Sequence, residues 1–414
     1  MSNHAHAINS GSGYRSWLMN KLKMGMTWPD YAKSLATPFN LLAFAILAAS
    51  APVFAMRYTQ GLSTVIDGSH EYPWGLLLSW GIFAGEPLFA CGFLVATAYY
   101  VFGFKEFRPM VRLGVVGGML GYMFAASYLL IDLGRPWRLY FPMAINFGPS
   151  SILFVVAWHV CLYVNVQLLE FSPAIFEWLG SKRVHKWAVS GTVGLVVLGT
   201  ILTTIHQSAL GAMYLITPGK LHPLWYSPNL PIYFLSSAIY AAAAFLVVMS
   251  GFFAKYFRNR CDEAFLASLH SNTIMLGKVM VVAMYAYFAL KVLGVAQENN
   301  WALLPTAYGK WFLVEVLGFV LAPALLITAA IRSNSSFAVQ MGSIWAIAGI
   351  LLNRVNVNLI AYNWFMPDHI HHITPPWTET IMIAAMVTLH VLVLRWLVNR
   401  FPILGEDPAY KGSH

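Results

Sequence analysis

Apolar stretches long enough to cross a bilayer recur along the chain, near residues 38–57, 73–104, 110–132, 148–170, 187–212, 230–255, 268–294, 307–331, 335–362 and 377–400. A hydrocarbon core of about 30 Å takes about 20 residues of helix. The pattern therefore predicts ten transmembrane helices and an all-α integral membrane protein. The runs lack the two-residue alternation of a transmembrane barrel strand. The two longest are expected to tilt or to continue past the hydrocarbon. Connections between runs are short and carry no Walker or Rossmann motif, which leaves no room for an extramembrane catalytic domain.

Composition points the same way: 58% of the 414 residues are hydrophobic and 10% charged, against about a quarter charged in soluble domains. The net charge of +9 follows from the positive-inside rule and implies no nucleic acid. Seventeen of the 25 Lys and Arg residues flank one side of the spans and six the other, with Lys278 and Arg354 inside spans. This asymmetry puts both termini in the cytoplasm, and in a bacterial cell the odd-to-even connections in the periplasm. The polar stretch 1–37 meets the first apolar run without a small-residue cleavage site. That run is expected to remain a membrane helix, with 1–37 a cytoplasmic segment and 401–414 a cytoplasmic tail. Cys91, Cys161 and Cys261 are scattered, which suits neither an iron–sulfur cluster nor a structural disulfide, and no c-type haem motif is present. The periplasmic connections hold Trp137, Tyr140, Trp225, Tyr226, Trp301, Trp364 and Trp377, the pattern of an interfacial belt, with a docking surface as the other reading.

Ionisable residues inside spans are costly and so are candidates for function. They are Glu86, Asp132, His159, His206, Lys278, Glu315 and Arg354. Five of the seven fall in the outer half or at the midplane; His159 and Lys278 suggest no role. In the fifth span Thr200, Thr203, Thr204, Gln207, Ser208 and Gly211 form a small, polar stripe beside His206. The stripe suits either a tight helix contact or a ligand-facing His206 backed by Gln207. Asp132 closes the third span, where the helix dipole disfavours a carboxylate. Arg135 and Arg138 compensate it in a structural ion pair, or the carboxylate serves a proton-accepting ligand. Glu86 precedes Pro87, which frees a backbone carbonyl and kinks the helix. A desolvated carboxyl can carry a proton at neutral pH, so proton relay stands beside a plain structural hydrogen bond. Glu315 and Arg354 are expected to pair across the eighth and ninth spans, among Asn353, Asn356 and Asn358, either as a structural salt bridge or in proton transfer. Asp368, His369, His371 and His372 in "MPDHIHHITPPW" read as a partner-contacting loop before a metal site, since their spacing matches no specific metal geometry. Haem ligation by His206 would need a second His at matched depth, and none is evident.

The segments "TTIHQSALGAMYLITPGKLHPLWYSPNLPIYFLSSA", "LLIDLGRPWR" and "IWAIAGILLNRVNVNLIAY" resemble the signature segments of the NrfD/polysulfide reductase C-type membrane subunits. The ten-helix layout resembles the branch that holds the membrane subunits of hydrogenase-2 type enzymes, alternative complex III and the menaquinone reductase complexes of sulfate reducers, nearest to the last. The likeness covers about residues 38–400. It implies two four-helix bundles, about 73–212 and 230–362, with helices one and ten flanking. It implies a menaquinone site near the periplasmic face of the first bundle, no haem or iron–sulfur cluster in this chain, and electron exchange with a periplasmic iron–sulfur subunit alongside multihaem cytochrome and molybdopterin-type subunits. By position His206 matches the family's quinone-site histidine and Asp132 its acidic residue, while Glu86 stands where members vary. The expected roles are His206 donating to a quinone carbonyl with Gln207 and Arg135 beside it, Asp132 setting the charge of His206 and passing a proton, and Glu86 leading protons to or from the midplane. Glu315 and Arg354 are candidates for a further proton path. The rival readings are a proton- or ion-coupled transporter, which shares paired bundles and midplane carboxylates, and a membrane anchor without a quinone site.

Overall fold

Ten helices are long and apolar enough to span a membrane among the residues described by the computed structural model, 11–69, 71–367 and 376–410. They are α1 (Pro38–Thr59), α2 (Leu76–Tyr100), α3 (Lys105–Asp132), α4 (Ile152–Leu179), α5 (Thr192–Ala212), α6 (Leu230–Tyr256), α7 (Glu263–Gln297), α8 (Ala307–Arg332), α9 (Ser336–Ile360) and α10 (Trp377–Arg400). Each expected span is there, and the protein is a multi-pass integral membrane protein. With an even number of crossings, α1 starts and α10 ends on one face, the terminal face.

Helices α2 to α5 pack into one four-helix bundle and α6 to α9 into a second. The bundles meet where α6 lies against α2 and α5, and α9 against α2. Helix α6 is the hub, with Ala241, Ala242, Ala243 and Ala244 all buried. Small side chains let helix backbones approach closely where lipid offers no hydrophobic driving force between helices. Helices α1 and α10 pack on each other, and α10 leans on α3. The row of exposed large side chains on α1, including Leu41, Leu42 and Phe44, is the lipid-facing surface.

Three membrane helices carry a wider π turn: Ser79–Ala84 in α2, Val314–Leu321 in α8 and Asn356–Ile360 in α9. Such bulges insert a residue into the helical ladder and concentrate at functional sites. All three lie toward the face opposite the termini.

The segment after α10 folds back on the terminal ends of α3 and α4. Arg108 pairs with Glu406 at 3.0 Å, Arg112 with Glu177 at 2.6 Å, and the Asp407 amide donates to Glu177 at 2.7 Å. Ile403 and Leu404 are buried beneath it.

Candidate functional site

Glu86 and His206 are brought together at the heart of the first bundle. Glu86 stands about 15 Å along α2 from its start, and His206 about 9 Å before the end of α5, at 1.5 Å of rise per residue. The two helices run in opposite senses, so both side chains fall at similar depth in the half away from the termini. The Glu86 Oε2 and His206 Nε2 atoms share a short hydrogen bond, and the residues are 0% and 1% exposed. Their other polar atoms, Glu86 Oε1 and His206 Nδ1, have no partner among the described residues. A buried polar atom without a partner costs about 1–3 kcal/mol, so these two mark where a ligand or water has something to satisfy.

The carboxylate facing His206 is thus Glu86, for which proton relay is one of two readings from the sequence. Asp132, expected to set the charge of His206, instead ends α3 half-buried and within the field of Glu379 and Arg57. The ion pair weighed for it with Arg135 or Arg138 is not formed: Arg135 is exposed, and the Arg138 guanidinium lies 5.1 Å from the Phe141 ring. The cation that compensates the end of α3 is Arg57 of α1, which donates to the Ile131 and Leu133 carbonyls. Charge counting places Arg57 in a loop flank, whereas it is 3% exposed.

The polar stripe of α5 serves mainly as a helix contact. The Thr200 hydroxyl meets Thr97 of α2 at 2.5 Å, and a Cβ at Gly211 would lie 2.5 Å from the Leu230 carbonyl oxygen at the start of α6. Gln207, fully buried, donates to the Tyr122 hydroxyl at 3.4 Å. From there a line of polar side chains descends the bundle toward the terminal face. The Tyr122 ring is 5.8 Å from that of His206 and 4.3 Å from that of Tyr163. Gln167 donates to the Tyr163 hydroxyl and to Glu170, both at 2.9 Å. Glu170 borders a cavity of about 30 Å³ shared with Tyr100, Arg112 and Thr192, enough for a water molecule. Sequence reading misses this line, because it puts Glu170 at the end of the fourth span, whereas α4 runs on to Leu179. The signal is present: Tyr163, Gln167 and Glu170 follow at spacings of four and three and so share one helix face.

A second buried cluster occupies the other bundle. Glu315 accepts from Asn353 at 2.7 Å, from the Trp225 indole at 2.8 Å and from Asn356 at 2.5 Å. Its ionic partner is not Arg354, as expected, but Lys291 of α7, 3.8 Å away and 3% exposed. Charge counting puts Lys291 with the loop flank, although it falls three residues inside the end of the apolar run 268–294. Helix α7 reaches Gln297, which carries Lys291 inside. Arg354 is likewise buried but points to α2 and α6, donating to the Phe83 carbonyl at 3.0 Å, the Ser237 hydroxyl at 2.8 Å and Asn353 Oδ1 at 2.7 Å. Asn353 therefore joins the two ions.

Trp225, assigned to an interfacial belt, is fully buried, whereas Trp137 and Trp377 are exposed as a belt requires. Above it His222 stacks on Tyr308, centroids 4.8 Å apart, with Trp364 at the same distance. Burial among these rings lowers the His222 pKa to about 4, and its Nδ1 accepts from the Leu224 amide at 3.2 Å. Of the residues left without a role, His159 bonds the Val155 carbonyl within α4 and Lys278 is exposed on α7. Asp368, His369, His371 and His372 lie outside the described residues.

Residues 64–365 match the family described as polysulphide reductase, NrfD. The chain belongs to the NrfD family. The match takes in both bundles, with the Glu86–His206 pair in one and the Glu315 cluster in the other, and leaves the flanking α1 and α10 outside it. Among similar proteins, one from Nitratidesulfovibrio vulgaris (strain Hildenborough) is 36% identical over 382 residues, 92% of this chain and 98% of that one. The probable Ni/Fe-hydrogenase 2 b-type cytochrome subunit of Escherichia coli K12 is 29% identical, over 86% of this chain and 90% of its own. The menaquinone reductase integral membrane subunit of N. vulgaris is 25% identical, over 83% and 86%.

Proposed function

We propose that the protein is the quinone-reactive membrane subunit of a respiratory oxidoreductase complex in a bacterial cytoplasmic membrane. It exchanges electrons between the menaquinone pool and iron–sulfur and cytochrome partner subunits on the periplasmic side. The observation that carries the reading is the buried Glu86–His206 pair, with one polar atom of each left free. The names of two relatives, a menaquinone reductase integral membrane subunit and a hydrogenase cytochrome subunit, support the class of complex.

Quinone chemistry moves two electrons and two protons, so a site needs a hydrogen-bond donor for a carbonyl oxygen and a protonatable group behind it. His206 supplies the donor from Nδ1. As that proton leaves for the carbonyl oxygen, Nε2 takes one from the Glu86 carboxyl, so the imidazole ends neutral and Glu86 ionised. Glu86 then regains its proton from within the bundle, and Tyr122, Tyr163 and Glu170 are the side chains that line the way to the terminal face. Oxidation of a quinol runs the same steps backwards. Asp132, Gln207 and Arg135 lie on the same side of the membrane as the head group and shape its approach. Electrons arrive through the partner subunits.

The test is electron transfer by the purified intact complex to a soluble menaquinone analogue. Co-purification with iron–sulfur or haem subunits and inhibition by a quinone-site inhibitor are expected. A chain that purifies active alone as an ion carrier, with no redox partner and no inhibitor sensitivity, overturns the proposal.

A further inference from the structure

Arg354 sits in the second bundle, yet one of its hydrogen bonds goes to the backbone of the first. In an α-helix the Phe83 carbonyl would accept from the N–H of residue 87, four positions on. Residue 87 is proline, which has no N–H and whose ring crowds that same carbonyl. In a membrane interior no water stands by to satisfy a freed carbonyl, so another donor must. The Arg354 Nε atom fills the role at 3.0 Å.

The guanidinium that does this is held on its other sides. One Nη donates to Ser237 of α6 and the other to Asn353 of α9, and the plane lies 3.7 Å from the Phe234 ring centroid. Asn353 is fixed in turn by Glu315, beside Lys291. By contrast the α2 segment that receives the bond is weakly held by its own helix. Phe83 itself lies in the π turn Ser79–Ala84, and Pro87 interrupts the ladder after it. Glu86, whose carboxyl meets His206, is three residues from Phe83 and adjacent to Pro87.

We propose that Arg354 is a positioning residue: by completing the carbonyl that Pro87 leaves open, it fixes the turn of α2 that aims Glu86 at His206. The second bundle, through its Arg354–Asn353–Glu315 chain, thereby sets the geometry of the acid in the first. This rests on the proposed role of Glu86 in proton transfer, and the test separates the two ideas.

Turnover of the intact complex with a menaquinone analogue is measured against pH for R354Q, P87A, P87A/R354Q and E86Q. R354Q is expected to lower kcat by about tenfold or more, as small misplacements at a reacting group do, and to move the midpoint of the pH profile. P87A restores an N–H that the Phe83 carbonyl can use, so in its background R354Q is expected to cost less than about threefold, a non-additivity that marks direct coupling. A loss through poorer assembly alone would lower the yield of active complex and leave the pH midpoint in place. If R354Q costs the same with and without P87A, or leaves the pH midpoint unmoved while E86Q abolishes turnover, the positioning role is overturned and the role of Glu86 stands. If E86Q leaves turnover intact, the role of Glu86 itself falls. Should R354Q fail to assemble, R354K takes its place. The three acceptors are met by three different guanidinium nitrogens, and the one nitrogen of a lysine cannot reach them all, so R354K is expected to lose turnover as well; relief of that loss by P87A supports the positioning role, and an equal loss in both backgrounds overturns it.

Discussion

Replacing Lys291 by Met would strand Glu315 in the interior of the second bundle. The Lys291 Nζ atom is 3.8 Å from Glu315 Oε1 and 5.5–5.7 Å from the ring centroids of Tyr233, Tyr287 and Phe312. At an effective dielectric of about 20, unit charges at that separation attract by about 4 kcal/mol. Removing one member of a buried pair costs about 3–5 kcal/mol, because the other is left uncompensated. Glu315 keeps its donors from Asn353, Asn356 and Trp225, so K291M is expected near the lower end, about 3 kcal/mol. E315Q added to K291M removes the stranded charge but leaves one carbonyl oxygen for three donors. The double variant is therefore expected about 1–2 kcal/mol below wild type, more stable than K291M alone. Reversible unfolding of the detergent-solubilised wild type, K291M, E315Q and double variant in a denaturant series gives the four values. If the double variant loses the sum of the two single losses, or K291M stays within experimental error of wild type, the pair is not the balanced ion pair described here.

Two further perturbations follow from the same geometry. Gly211→Ala would drive a methyl group to 2.5 Å from the Leu230 carbonyl oxygen; separating α5 from α6 is expected to cost about 1–3 kcal/mol, read as a lower unfolding midpoint, and an unchanged midpoint would show that the contact is slack. His222 has its pKa lowered to about 4 by burial, so the unfolded chain binds its proton first as pH falls below about 6.5. Stability is then lost between about pH 6.5 and pH 4 and levels off below. That slope should disappear in His222→Phe, measured by thermal unfolding across the range, and a slope that persists there would belong to another group.

Much of the architecture can be read from the chain, because a bilayer imposes one length and one composition on every span. The ten apolar runs each form a helix, and the segments carrying His206 and Asp132 point to the right family. What escapes is set by the third dimension. Lys291 stands near the end of its apolar run, where charge counting takes it for a flank cation, but α7 runs about 4–5 Å further and the side chain turns inward to Glu315. Glu86 and His206 are 120 positions apart, and nothing in either segment says that their helices face each other. Pro87 announces a free carbonyl; only the packing of α9 on α2 shows that Arg354 answers it. The expected Glu315–Arg354 pair fails for a related reason. Both residues sit in the right place along their helices, but Arg354 turns toward α2 and α6, and Lys291 takes its place beside Glu315.

The central claim is that the buried Glu86–His206 pair handles the protons of a quinone. Steady-state turnover of the intact complex with a menaquinone analogue, compared for wild type, His206→Ala and Glu86→Gln, tests it most directly. General acid–base groups contribute about 10²–10⁴-fold. Both variants are expected to lose at least about a hundredfold in kcat, and the double variant little more than either alone, because the two act as one relay. Near-wild-type turnover in His206→Ala, with partner subunits still bound and reducible, would contradict the account.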